Sequence, residues 1–159
     1  MAKKKKSGNA GLILSVVVLL LGVAAFCMAF LVGVKYVTSK GTALGEFTGI
    51  QVMFGYSKEV LVAEVKVLEF SILATLAFAL PLVGAIVGLV NNKIAKLVAA
   101  LVMIAGAVLM FLLPSFVVFA ADGAADLVSG VATLGIGAII GGICAGLGGL
   151  VAGYAALRK

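Results

Sequence analysis

Four long stretches of this chain contain no charged residue: Gly11 to Val34, Phe70 to Val90, Leu97 to Ala121 and Leu127 to Leu157. Asp122 and Asp126 mark the gap between the last two. A helix needs about 20 apolar residues to cross a hydrocarbon layer of roughly 30 Å, and each stretch reaches that length. Ionisable groups are costly inside lipid, so they should gather at the ends of the spans. They do. The sequence therefore predicts an all-α membrane protein, a four-transmembrane-helix bundle with spans at about 11–34, 70–90, 97–121 and 127–157. Composition agrees, with only 11% charged residues against about 25% in an ordinary soluble domain. The spans and their connections occupy nearly all of residues 1–159, so a single transmembrane domain is expected, with one sizeable outer loop at 35–69.

The placement of charge predicts an orientation. Lys3, Lys4, Lys5 and Lys6 precede the first stretch, Lys93 and Lys96 separate the second from the third, and Arg158 and Lys159 follow the fourth. None of these segments contains an acid. Glu46, Glu59, Glu64, Glu69, Asp122 and Asp126 all fall in the other two connections, beside Lys35, Lys40, Lys58 and Lys66. Lys and Arg are retained on the cytoplasmic side, so both termini are expected in the cytoplasm of a multi-pass plasma-membrane protein. The net charge of +6 is thus a matter of topology, with no nucleic-acid partner implied. A lysine cluster beside a span also attracts anionic lipid, at about 1 kcal/mol per residue. The stretch from Gly11 to Val34 is far longer than the roughly 7–15 residues of a signal-peptide core. Ala25-Phe26-Cys27 also lacks a small-residue cleavage pattern, so an uncleaved span is expected.

The first outer connection is rich in β-branched and aromatic residues. Phe47 to Tyr56 and Val60 to Val67 read as two strands, joined by a turn over Gly55 to Glu59. This predicts a small extracellular β-hairpin, packed on the helix ends or paired with a further strand because a lone hairpin is marginal in water. On that reading Glu59, Glu64 and Lys66 face outward. The rival reading extends the second helix outward over residues 57–70. Asp126 is a candidate N-cap for the fourth helix. Pro81 and Pro114 are candidate helix kinks, since proline removes a backbone donor.

The fourth stretch is dense in glycine. Gly135, Gly142, Gly146, Gly149 and Gly153 fall on one helical face, the candidate helix-packing surface. Gly137, Gly141 and Gly148, with Cys144, Ala152 and Ala155, form a second. Gly142/Gly146, Gly149/Gly153 and Gly137/Gly141 have the GxxxG spacing that lets helix backbones approach closely in lipid. Two such faces imply either two partner helices in the same chain or one face left for another protomer.

Catalytic chemistry has little to work with. The chain has no His, which removes the commonest general base and metal ligand. Cys27 and Cys144 both lie within spans, and two thiols fall short of the three or four ligands of a zinc site. No catalytic, cofactor-binding or metal-binding residues are predicted, and no cofactor. The glycine repeat is like that of rotor-ring subunits, but the membrane carboxylate those subunits need has no counterpart here.

Four spans, internal termini, a β-prone first outer loop and a short second one together resemble the claudin-type tetraspan layout, without the loop Trp and Cys pair of claudins. Gly49-Ile50-Gln51-Val52-Met53-Phe54-Gly55 and the run into Phe70-Ser71 also look like small four-span proteins of bacterial plasma membranes. The functional expectation is a non-enzymatic membrane protein acting through helix–helix and loop contacts, as a scaffold or accessory subunit. Its expected partners are the lipid bilayer and a membrane-protein partner or homo-oligomer. The alternative is a small transporter or oligomeric pore.

Overall fold

Helix formation follows the apolar stretches but stops short of their ends. The computed structural model describes residues 5–38, 43–60, 63–117 and 130–158. Helix α1 spans Lys5–Cys27 and tightens into a 3-10 turn at Met28–Phe30. At Leu31 the backbone becomes extended, and Val32–Thr38 forms strand β1. Residues 32–34, read as the end of the first span, are therefore strand. Their alternation explains this: Val34 is buried while Lys35 on the opposite face reaches Glu46 of the neighbouring strand at 2.8 Å.

Strand β2 (Ala43–Thr48) leads into a short helix α2 (Gly49–Phe54). The predicted strand over residues 47–56 is thus mostly helical. A capping box overrides its β-prone composition. Thr48 Oγ1 accepts from the Gln51 amide at 3.3 Å, and Gln51 Oε1 accepts from the Thr48 amide at 3.0 Å. Strands β3 (Tyr56–Val60) and β4 (Ala63–Leu68) follow as an antiparallel hairpin, pairing Ser57 with Lys66 and Glu59 with Glu64. A small hairpin forms, then, but shifted: most of the predicted turn, from Tyr56 to Glu59, is its first strand. Glu59 and Lys66 are exposed. Residues 57–60 and 63–68 are strand, so the rival extension of the second helix is not what the chain adopts.

Helices α3 (Ile72–Val87) and α4 (Lys93–Phe111) come next, each capped by a side-chain oxygen, from Ser71 and Asn92 respectively. The third helix ends ten residues before the predicted Ala121, and a 3-10 turn at Leu113–Phe116 follows. Strand β5 (Gly130–Leu134) and helix α5 (Ile136–Leu157) complete the described chain. The described part of the predicted fourth span thus opens with a strand, at residues 130–134. Gly135, rather than Asp126, occupies the N-cap of α5. Asp122 and Asp126, with the connection they were read from, lie outside the described residues.

The sheet order is β2-β1-β5, both pairs antiparallel, with Lys35 opposite both Glu46 and Thr133. The two outer connections are thereby knitted together. Helices α1 and α4 each pack against both α3 and α5, so neighbours around the bundle run antiparallel. Two apolar layers fill it. Toward the sheet, Phe78, Met110 and Leu113 meet Val34, Val52, Met53 and Leu68. Farther away, Val18, Ala85, Ala99, Met103 and Ala152 form the second layer.

Three helical segments, Asn9–Phe30, Lys93–Phe111 and Ile136–Leu157, are long and apolar enough to cross a membrane. Their outward faces carry exposed Leu20, Leu101, Val108, Ile143 and Leu150, an amount of apolar surface that suits lipid rather than water. The chain is a mostly helical, membrane-embedded protein. Helix α3 has 16 residues, about 24 Å at 1.5 Å per residue, and its outward residues Leu76, Val83 and Ile86 are exposed in the same way.

Gly55 ends α2 at φ 85° and ψ 163°, a region essentially closed to residues with a Cβ. A methyl there would also stand 2.8 Å from the Leu68 carbonyl oxygen. Gly55→Ala is expected to destabilise the fold by about 1–3 kcal/mol, read as a lower thermal midpoint of the detergent-solubilised protein. An unchanged midpoint would contradict this backbone assignment.

Candidate functional site

The glycine faces of α5 are the feature most able to specify contacts, and the structure gives each a neighbour. A methyl at Gly149 would sit 2.7 Å from Ile104 Cγ1 and 3.1 Å from the Ala100 carbonyl oxygen, both on α4. One at Gly142 would meet the Phe111 ring at 3.0 Å. Gly146 and Gly153 face α4 more loosely, with Ala107 Cβ at 3.9 Å and Ala100 Cβ at 3.8 Å. The second face turns to α1. A methyl at Gly137 would sit 2.7 Å from the Met28 carbonyl oxygen in the turn after α1. One at Gly141 would stand 3.3 Å from the Ala25 carbonyl oxygen of α1 and 3.0 Å from Met110 Sδ of α4. One at Gly148 would lie 3.3 Å from Leu21 Cβ of α1, with Met103 of α4 nearer still. Helix α5 is therefore held between two helices of its own chain.

Gly135 stands apart from this surface. It precedes the helix, donates its amide to the Gly33 carbonyl at 2.8 Å, and lies against the Val32 carbonyl. Its lack of a side chain lets the start of α5 sit on β1.

The two prolines differ. Pro81 lies inside α3, which continues past it to Val87, and it is buried. Its ring covers Gly106 of α4, where a methyl would be 2.6 Å from Cδ, and its carbonyl oxygen stands 2.7 Å from the same point on Gly22 of α1. Glycines on both neighbouring helices thus make room for one proline. Pro114 kinks no helix. It falls in the first turn of the 3-10 segment beyond α4, where its missing amide leaves no bond unmade. Gly22, Gly84 and Gly106 were not singled out from sequence, although a methyl at Gly84 would also press on α4, 3.1 Å from the Ala99 carbonyl oxygen. Isolated glycines carry no periodic signal.

The hydroxyl groups of the bundle and sheet serve the fold itself. Ser71 Oγ accepts from the Ala74 amide at 3.3 Å and donates to the Phe116 carbonyl at 3.0 Å, tying α3 to the turn after α4. Thr75 donates to the Ser71 carbonyl at 3.0 Å, one turn back. Thr133 of β5 donates to the Lys35 carbonyl of β1 at 3.2 Å. Cys27 and Cys144 are free thiols. Among the described residues no group of three His, Cys, Asp or Glu could hold a metal. An open groove of about 430 Å³ runs under the hairpin, lined by Phe54, Tyr56, Lys66, Glu69 and Phe70 among others.

One buried charge escaped the sequence reading. Lys96 was taken as a marker of the cytoplasmic turn, yet it is 7% exposed, with its side chain inside the bundle. Its helical position gave the signal, since it precedes buried Ala99, Ala100 and Met103 by three, four and seven residues.

No protein-family model matches the chain, and neither a curated protein nor a solved structure matches it. The functional reading therefore rests on residues and geometry alone.

The contrast among the α5 glycines is testable. Gly149→Ala is expected to lower the thermal midpoint, since overpacking costs about 1–3 kcal/mol. Gly22→Ala should do likewise, for it brings a methyl onto the Pro81 carbonyl. Gly146→Ala and Gly153→Ala should be neutral or stabilising by up to about 1 kcal/mol, through helix propensity. Equal effects at all four sites would contradict the described α5 packing.

Proposed function

We propose that this chain is a four-span protein of the plasma membrane, with both termini cytoplasmic, that works through contacts as a scaffold or accessory subunit. The observation that carries the reading is the outer sheet. Its central strand β1 pairs on one side with β2 of the first outer connection and on the other with β5, the strand just before α5. Val34, Val52, Met53 and Leu68 anchor this outer layer to the helix ends. A rigid bundle thus presents a small, ordered surface at one end, with the charged hairpin residues Lys58, Glu59 and Lys66 exposed on it.

A fourth span is supported by α3 itself. Turn hydrogen bonds carry the chain on from Val87 to Val90, and its apolar outer face matches those of the longer helices. The inside assignment of the termini is supported by Lys93 and Arg158 lying at the end opposite the sheet, where charges of one sign collect. The claudin-type layout enters here as an analogy of architecture, four helices with a β outer layer.

The alternative of a small transporter or pore drew on proline kinks and a spare small-residue face. Pro81 is packed between two glycines, Pro114 lies beyond its helix, and the second glycine face is taken by α1. The bundle axis is filled by Phe78, Met103 and Met110, all fully buried. The contact reading is therefore preferred.

A short lysine-reactive cross-linker applied to the outer face of native membranes should give a discrete protein conjugate through Lys58 and Lys66. K58Q/K66Q should abolish it, and conjugation no different from this variant's would defeat the contact reading. Protease added outside oriented vesicles should leave the N-terminal lysines uncut; cleavage there would reverse the topology.

A further inference from the structure

We propose that the end of the bundle remote from the sheet holds a phosphate-binding site centred on Lys96, the phosphate being that of an anionic lipid headgroup or free in solution. Lys96 is the only charged side chain that is buried among the described residues, at 7% exposure. It lies in the first turns of α4, and its ammonium reaches across the bundle to α1, where Nζ stands 4.0 Å from the point a Gly11 Cβ would occupy. Gly11 leaves that space open.

Nothing described in the chain neutralises this charge. The one salt bridge found among the described residues joins Lys35 to Glu46 at the sheet, and no hydrogen bond to the Lys96 ammonium is found among them. The described carboxylates, Glu46, Glu59 and Glu69, belong to the sheet and hairpin end, as does the backbone of Glu64. From Lys96 to the far end of α4 is about 22 Å at 1.5 Å per residue, beyond the reach of any ion pair. The C-termini of α3 and α5, which also end here, carry only partial negative charge, about half a unit each, and the remaining groups are positive. The first turn of α4 contains no acid, the N-terminus of a helix is itself positive, and Lys93 and Arg158 lie at the same end.

Among the described residues no sealed side-chain nitrogen or oxygen lacks a partner, so the Lys96 ammonium opens at the end of the bundle, where an anion supplied from outside can pair with it. A phosphate suits the position. The apolar stretches end at this level, where headgroup phosphates lie, and helix N-termini combined with lysine bind phosphate oxygens well. The site does not depend on the contact function proposed above.

The test uses the full chain in a neutral detergent, with phosphatidylglycerol and inorganic phosphate as separate probes. Binding is read by native mass spectrometry for the lipid and by calorimetric titration for phosphate. Wild type is expected to bind at least one probe, and K93M, at an exposed lysine, to bind as wild type. K96M keeps the apolar stem and should bind about tenfold or more weakly, the worth of one charge-assisted hydrogen bond. K96R should restore binding. Lipid binding alone identifies a headgroup site, and binding of both probes identifies a general phosphate site. The proposal fails if wild type binds neither probe, or if K96M binds as wild type because Lys96 contributes only its stem. Should K96M not fold, a folded K96R that binds neither probe would overturn it equally.

Discussion

Close approach of helix backbones is the constraint on which the rest of this molecule depends. Lipid tails are as apolar as leucine side chains, so burial supplies little drive for helices to associate. What remains is contact at short range, and contact requires the absence of side chains at the crossing points. Helix α5 meets α4 through Gly142 and Gly149, meets α1 through Gly141 and Gly148, and meets the turn after α1 through Gly137. On the other side of the bundle Gly22, Gly84 and Gly106 do the same around Pro81 and Met103. Large side chains then fill the space enclosed, with Phe78, Met103 and Met110 wholly buried. Small residues at the seams and large ones on the axis are two halves of one arrangement.

The outer layer depends on that arrangement. Gly135 seats the start of α5 against β1, Gly33 and Gly49 bring β1 and α2 together, and a methyl at Gly49 would meet the Phe78 ring at 2.8 Å. Because the helix ends are fixed at these distances, β5 arrives in register with β1, Val34 opposite Leu134. The hairpin attaches through Leu68 and through the tilted pair of Phe47 and Tyr56, whose ring centres are 6.3 Å apart.

Membrane residence and the approximate helices were legible in the sequence because hydropathy acts over long windows. Helix ends were not, and the reason differs at each. Valines at 32 and 34 satisfy a hydropathy scale whether they face lipid in a helix or a core in a strand. The fourth stretch, read throughout as a span, is longer than a span needs, and the strand at 130–134 lies in the surplus. The capping pair Thr48 and Gln51 was present but outweighed by β-branched neighbours. The α5 glycine faces were readable from their spacing. Pairwise fits such as Gly22 with Pro81 exist only once helices are assembled, and the burial of Lys96 needed a helical wheel rather than a charge count.

The sheet also has a consequence for biosynthesis. Strand β1 emerges early and finds β2 within a few residues, but its other edge must wait for β5, which follows α4 and a further connection. At synthesis rates of about 5–20 residues per second, that edge stays unpaired for several seconds, on the far side of the membrane from the ribosome if the charges set the orientation. An exposed strand edge is a template for unintended pairing. Lys35, in the middle of β1, keeps a charged side chain on the strand throughout that interval, so the residue that pairs with Glu46 also protects the nascent chain from its neighbours.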